Sequence, residues 1–257
     1  MLCGRADRLS REHVIPRWAA RELGAGAVVE ERSGTEHRLD ALSVILPQVC
    51  VQCNTGWMND LEQRTRPVLG PMLRGPALPA LLDPSQQATL ATWAVKTSLL
   101  LTHRKFTAQP GGWIPEGNLG WLHQHGRSAI PPPGARVWLG GIRPRDAATA
   151  RNLSASAQAV CLIGTSGNPV AHVGTFSVGH VLFQVFCCEE RNSALSSESE
   201  TWLAPAGQFR SAFTLIAPSS VDITWPPHAV FATDAVPIVG ERIQAPPPGF
   251  GDHAHDA

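Results

Sequence analysis

The chain has 257 residues and no formal net charge, with 21 Lys plus Arg set against 21 Asp plus Glu. Lysine is nearly absent: Lys96 and Lys105 are the only two. Residues 1–75 hold ten Arg against nine Asp plus Glu. That balance excludes a strongly basic nucleic-acid footprint, so any phosphate binding must be local or metal-assisted. No apolar run approaches the ~18 residues of a membrane-spanning helix, so none is expected. Met1-Leu2-Cys3-Gly4-Arg5 is not followed by an apolar h-region, so no signal peptide is expected. The expected compartment is the cytoplasm, where thiols stay reduced and a CxxC pair points to metal rather than disulfide.

What is present starts with composition. Hydrophobic residues make up 43% and charged residues 16%, enough apolar content for a sizeable core in one or two domains. The abundance of Arg over Lys matters chemically, because guanidinium forks onto phosphate and ammonium does not.

The chemistry concentrates near the start. Ser10-Arg11-Glu12-His13-Val14-Ile15-Pro16 places an acid directly before a histidine, and a proline stops the run. Cys50-Val51-Gln52-Cys53-Asn54 is a CxxC knuckle with an asparagine behind it. The pattern predicts a strand over 8–15 and a helical turn over 16–23. Residues 24–40 form a polar excursion, with room for a hairpin, and 42–49 a second strand. From Asn54 a helix is expected, with Trp57, Met58, Leu61, Thr65 and Val68 on one face and Pro67 and Pro71 limiting or kinking it.

Residues 75–83 read as a Pro-rich linker. Asp83-Pro84 is an N-cap followed by an N1 proline, and a helix should run to about Thr102. After a loop at 109–112, residues 115–125 suit a short helix. Strands are expected at 136–142, 159–164, 170–178, 179–187, 209–216 and 221–225, with a hairpin around Ser177-Val178-Gly179-His180. The fold class is therefore α+β. The expected domains are 1–75, 76–243 and a disordered tail 244–257 containing His253 and His255.

Glu-His-Val-Ile-Pro followed by Cys-x-x-Cys-Asn resembles the HNH (ββα-metal) endonuclease superfamily in its zinc-knuckle branch, over roughly residues 1–70. The Cys-Asn-x-Gly-Trp form, with Leu61-Glu62 after it, is similar to HNH-like proteins with little assigned function. The resemblance implies a metal-dependent endonuclease acting on DNA. It implies His13 as general base, with Glu12 and Asn54 holding a catalytic Mg²⁺ or Mn²⁺. It also implies Cys3, Cys50 and Cys53 as ligands of a structural zinc. Two departures stand beside it. No middle Asn occurs in Ser43-Val44-Ile45-Leu46-Pro47-Gln48, and the gap from His13 to Cys50 is long.

The chemistry agrees with those roles. Phosphodiester hydrolysis needs a deprotonated water and a cation to offset phosphate charge, which suits an imidazole and oxygen donors. Adjacent strand residues face opposite ways, so Glu12 and His13 act together only where the backbone bends. Structural zinc wants four ligands. Cys3-Gly4 looks like the second half of another knuckle whose first cysteine would precede Met1, so a start upstream is expected. The alternatives are a Cys₃His site using His37 and an incomplete site.

Other residues have plainer readings. Trp57 is expected in the core. Arg17, Arg64 and Arg66 are expected on solvated faces within reach of phosphate, and Asp60 and Glu62 as surface charges. Cys161, Cys187 and Cys188 are expected as buried strand thiols, and His123 and His125 as loop residues. Two other functions remain open: a degenerate HNH-fold zinc module that binds nucleic acid or protein, and a ligand-binding C-terminal sheet.

Overall fold

The computed structural model describes residues 8–23, 28–33, 35–40, 45–75, 79–106, 116–145, 155–163, 169–188, 192, 194–203, 207–232, 235, 236 and 239. Cys3, Ser43, the loop at 109–112, and the tail with His253 and His255 lie outside the described residues, as do the side chains of His37 and Gln48.

The chain is α+β. It opens with β1 (Leu9–His13), α1 (Arg17–Leu23), β2 (Val28–Ser33), β3 (Thr35–Asp40) and β4 (Ile45–Cys50). A helical run follows: α2 (Val51–Cys53), a π-helical stretch Asn54–Met58, and α3 (Asn59–Leu73). Next come β5 (Ala80–Leu82), α4 (Pro84–Phe106) and α5 (Glu116–His125). The second half holds β6 (Arg136–Gly141), β7 (Ala155–Ile163), β8 (Pro169–Val178), β9 (Val181–Cys188), α6 (Ala194–Trp202), β10 (Phe213–Ala217) and β11 (Ile223–Trp225).

Three sheets result. β1 pairs antiparallel with β4, and β5 with β11. The third has seven strands in the order β10-β6-β9-β8-β7-β2-β3, antiparallel except where β2 meets β7. The polar excursion between the two motif segments does contain a hairpin, β2–β3, and that hairpin is an arm of the large sheet. One continuous apolar cluster includes Val14, Trp18 and Leu61 from one side of position 75 and Trp93, Phe176 and Phe183 from the other.

Helix α4 is the axis of the packing. Asp83 accepts from the Gln86 N–H at 2.8 Å, and the Gln86 side chain accepts from the Asp83 N–H at 3.0 Å. This reciprocal cap starts the helix where the Asp-Pro pair predicted it. From Thr89 to Leu100 every residue is buried, because α3 lies on one side and the sheet on the other. Trp93 meets Phe176 edge-on, with centroids 6.1 Å apart, and Phe176 stacks on its cross-strand partner Phe183 at 5.2 Å. On β9, Val181, Phe183, Val185 and Cys187 join the α4 cluster, while Leu182, Phe186 and Cys188 join a second cluster with Leu195 of α6. Period-two alternation thus fills both faces of a fully buried strand.

Two expectations change. Pro67 and Pro71 lie inside α3, which continues to Leu73; both are exposed, so the carbonyls left without an N–H partner face water. The expected linker contains β5. Among the described residues no helix is long and apolar enough to cross a membrane.

Candidate functional site

β1 delivers Glu12 and His13 against β4, with Glu12 opposite Leu46 and His13 opposite Ile45. The register slips between Ser10 and Glu12, so the strand is bulged there. The bulge does not bring the two side chains together. Glu12 turns into the core, 6% exposed, while His13 is half-buried.

Glu12 meets a partner from outside the motif. Lys96 Nζ of α4 lies 3.5 Å from Glu12 Oε1 and 2.8 Å from Glu62 Oε1 of α3. The Lys96 side chain is 2% exposed. Three charges thus meet in the interior where β1, α3 and α4 converge. Burial opposes the Lys96 ammonium, but Glu62 and Glu12 outweigh it and raise its pKa above the ordinary lysine value. Burial raises the Glu12 pKa; Lys96 opposes this and repulsion from Glu62 adds to it. Glu62, expected as a surface charge, is partly exposed, with its side chain at 20%, and also reaches Lys96 from the rim of the cluster.

His13 Nε2 accepts from Arg17 Nε at 3.3 Å. Arg17 follows the Pro16 stop and opens α1, which places its guanidinium beside the imidazole four residues back. Burial lowers the His13 pKa, and Arg17 and Arg11 lower it further against a smaller opposing effect of Glu62. The ring is therefore held neutral, with Nε2 as the acceptor.

Cys50 caps α2, its Sγ accepting from the Cys53 N–H at 3.3 Å. Both cysteines are buried, at 4% and 2% exposure. This bond sets Cys50 and Cys53 at one helix start, the pair that would supply two of a structural zinc's four ligands. The other half was assigned to Cys3, outside the described residues. Asn54 sits at the start of the π-helical stretch, and its Nδ2 donates to Ser10 Oγ at 3.0 Å. Ser10 Oγ in turn donates to Val49 O at 2.8 Å. This chain of bonds clamps the helix start to both strands.

Gly56 then leaves helical geometry, and the chain bends before α3. Beside the bend lies an open cleft of about 270 Å³ lined by Gln52, Cys53, Gly56, Trp57, His123, Gln124 and Arg127. Asp60 is a surface charge as expected, 40% exposed and tied to Arg127 at 2.8 Å. Trp57 is in the core as expected, packed against Gly126, where an added Cβ would meet its ring at 2.4 Å. His123 and His125 lie on α5 rather than in a loop.

The expected catalytic trio therefore splits three ways: Glu12 to Lys96, His13 to Arg17, and Asn54 to Ser10. Among the described residues, no three His, Cys, Asp or Glu side chains converge on one metal position. An ammonium already stands against Glu12 Oε1, so a Mg²⁺ or Mn²⁺ ion does not fit on that side of the carboxylate. Sequence reasoning missed Lys96, Glu62 and Ser10. One signal was available for Lys96: a rare lysine inside an apolar helical run requires an acidic partner. Comparison with protein-family models, characterised proteins and solved structures yields no match to this chain.

Proposed function

We propose that the chain is an HNH-type endonuclease that hydrolyses DNA phosphodiester bonds with His13 as general base. The observation that carries this reading is the setting of His13. It ends the first of two antiparallel strands that lead through CxxC-Asn into a helix, it is half-buried, and its imidazole is held neutral. A neutral imidazole is the form that takes a proton from water. Arg17 occupies Nε2 and must swing away before that nitrogen receives a proton. An arriving phosphate gives the guanidinium a reason to move.

Cys3, Cys50 and Cys53 would hold a structural zinc that fixes the helix start carrying Asn54. No step is assigned to Mg²⁺ or Mn²⁺, since Glu12 is engaged by Lys96. The test is nicking of supercoiled plasmid by the purified chain and by His13→Ala, with Mg²⁺, with Mn²⁺ and with a chelator. Cleavage by the parent and at least a hundredfold loss in the variant is expected. Equal rates would reject His13 as the base.

A second reading has its own observation. The buried Glu12–Lys96 contact suits a zinc-supported module that binds nucleic acid or protein without hydrolysis, the degenerate form of the same arrangement. Retention of DNA with no cleavage under any metal condition would favour it.

A further inference from the structure

We propose that Lys96 is the resident cation of the Glu12–Glu62 carboxylate pair, occupying the place a divalent ion would need. The proposal rests on three placements. First, the two carboxylates come from different elements, β1 and α3, and both direct an oxygen at one point, the Lys96 ammonium. Second, that ammonium is 2% exposed and Glu12 is 7% exposed at the side chain, while Glu62 is 20% exposed, so Lys96 is the cation that the buried Glu12 carboxylate meets. Third, Lys96 is carried by α4, outside the strand–strand–helix segment altogether.

A divalent ion needs oxygen ligands at about 2.0–2.6 Å. It cannot bridge Glu12 Oε1 and Glu62 Oε1 while an ammonium nitrogen stands between them, 3.5 and 2.8 Å away. Ammonium and divalent ion are alternatives for one position. The lysine is built into the chain at fixed proximity, so its effective concentration there exceeds that of any free ion. The consequence is an exchangeable relationship. Removing the ammonium leaves two carboxylates facing one space, a minimal oxygen-ligand site for Mg²⁺ or Mn²⁺. The inference deepens the reading above by naming the cation of the same centre, yet its test uses no nucleic acid and stands apart from any cleavage result.

The experiment is MnCl₂ titration of the purified full chain, read by the loss of free-Mn²⁺ electron paramagnetic resonance signal and by thermal melting. The parent, Lys96→Arg, Lys96→Met, and Lys96→Met combined with Glu62→Gln are compared. The expected result is no Mn²⁺ site in the parent that depends on Glu12 or Glu62, and none in Lys96→Arg. Lys96→Met should gain one Mn²⁺ with at least tenfold tighter binding, raise its Tm in MnCl₂, and lose both gains with Glu62→Gln. A folded Lys96→Met that binds Mn²⁺ no better than the parent overturns the proposal. Should Lys96→Met fold only in MnCl₂, the proposal holds. Should it not fold at all, the parent decides against Glu12→Gln: Mn²⁺ bound by the parent and lost in Glu12→Gln overturns the proposal, and no such site supports it.

Discussion

Lys96 Nζ and Glu62 Oε1 stand 2.8 Å apart in the interior, joining α4 to the helix that follows the CxxC knuckle. Glu12 completes the cluster from β1. Breaking such a cluster from one side leaves buried charge without compensation, which costs about 3–5 kcal/mol. In metal-free buffer, Lys96→Met should therefore unfold at markedly lower denaturant. Removing all three charges together, with Lys96→Met, Glu12→Gln and Glu62→Gln, should recover most of that loss. Urea unfolding followed by Trp fluorescence checks both. A triple variant no more stable than Lys96→Met would show that the loss comes from packing rather than from charge.

His172 supplies a pH prediction. It is fully buried between β8 and α4, its Nε2 3.4 Å from Ser98 Oγ, and burial lowers its pKa to about 3. A folded-state value below the unfolded one means that the unfolded chain takes up the proton first as pH falls. The stability associated with neutral His172 is thus complete above about pH 6.5 and is lost progressively down to about pH 3. The shift corresponds to roughly 5 kcal/mol at the acid end. Replacing His172 with Gln should flatten the acid limb of the stability curve across that window, as read by urea unfolding at stepped pH. An unchanged slope would assign the acid limb to other groups.

Gly179 makes the tight turn between β8 and β9 with φ of +56°, and a Cβ there would meet Leu73 O at 2.5 Å. Both the left-handed conformation and the approaching carbonyl exclude a side chain. Gly179→Ala should lower stability by at least about 1–2 kcal/mol, the cost of that backbone conformation alone. Thermal melting checks it. The contact binds the end of α3 to the large sheet, so the loss should appear as a drop in Tm of the whole cooperative transition.

How much was legible beforehand follows from which signals are local. The strand at 136–142, the hairpin around Gly179 and the start of α4 follow from alternation, a turn and a cap, all local. Helix α6 was missed because Ala194–Trp202 is rich in Ser and Glu and shows little apolar period. The expected strand at 209–216 starts late, since residues 207–212 form a 3₁₀ segment before β10. β5 hid in a Pro-rich stretch because its partner, β11, lies far along the chain. The acid–histidine pair and the knuckle were legible as motifs. The turn of Glu12 toward Lys96 was not, because it depends on a helix that begins more than seventy residues later.

The parallel pairing of β2 with β7 has a consequence for the order of events during synthesis. Val29, Glu30 and Glu31 have β3 beside them from the start, but their other neighbours, Ala155, Ser156 and Ala157, come much later in the chain. The hairpin inserted between the two motif strands therefore finds its lasting place only after more than half the chain has been made. Such long-range closure is slow, and it leaves strand edges exposed meanwhile. The β2–β3 hairpin should be among the last segments to reach its final surroundings.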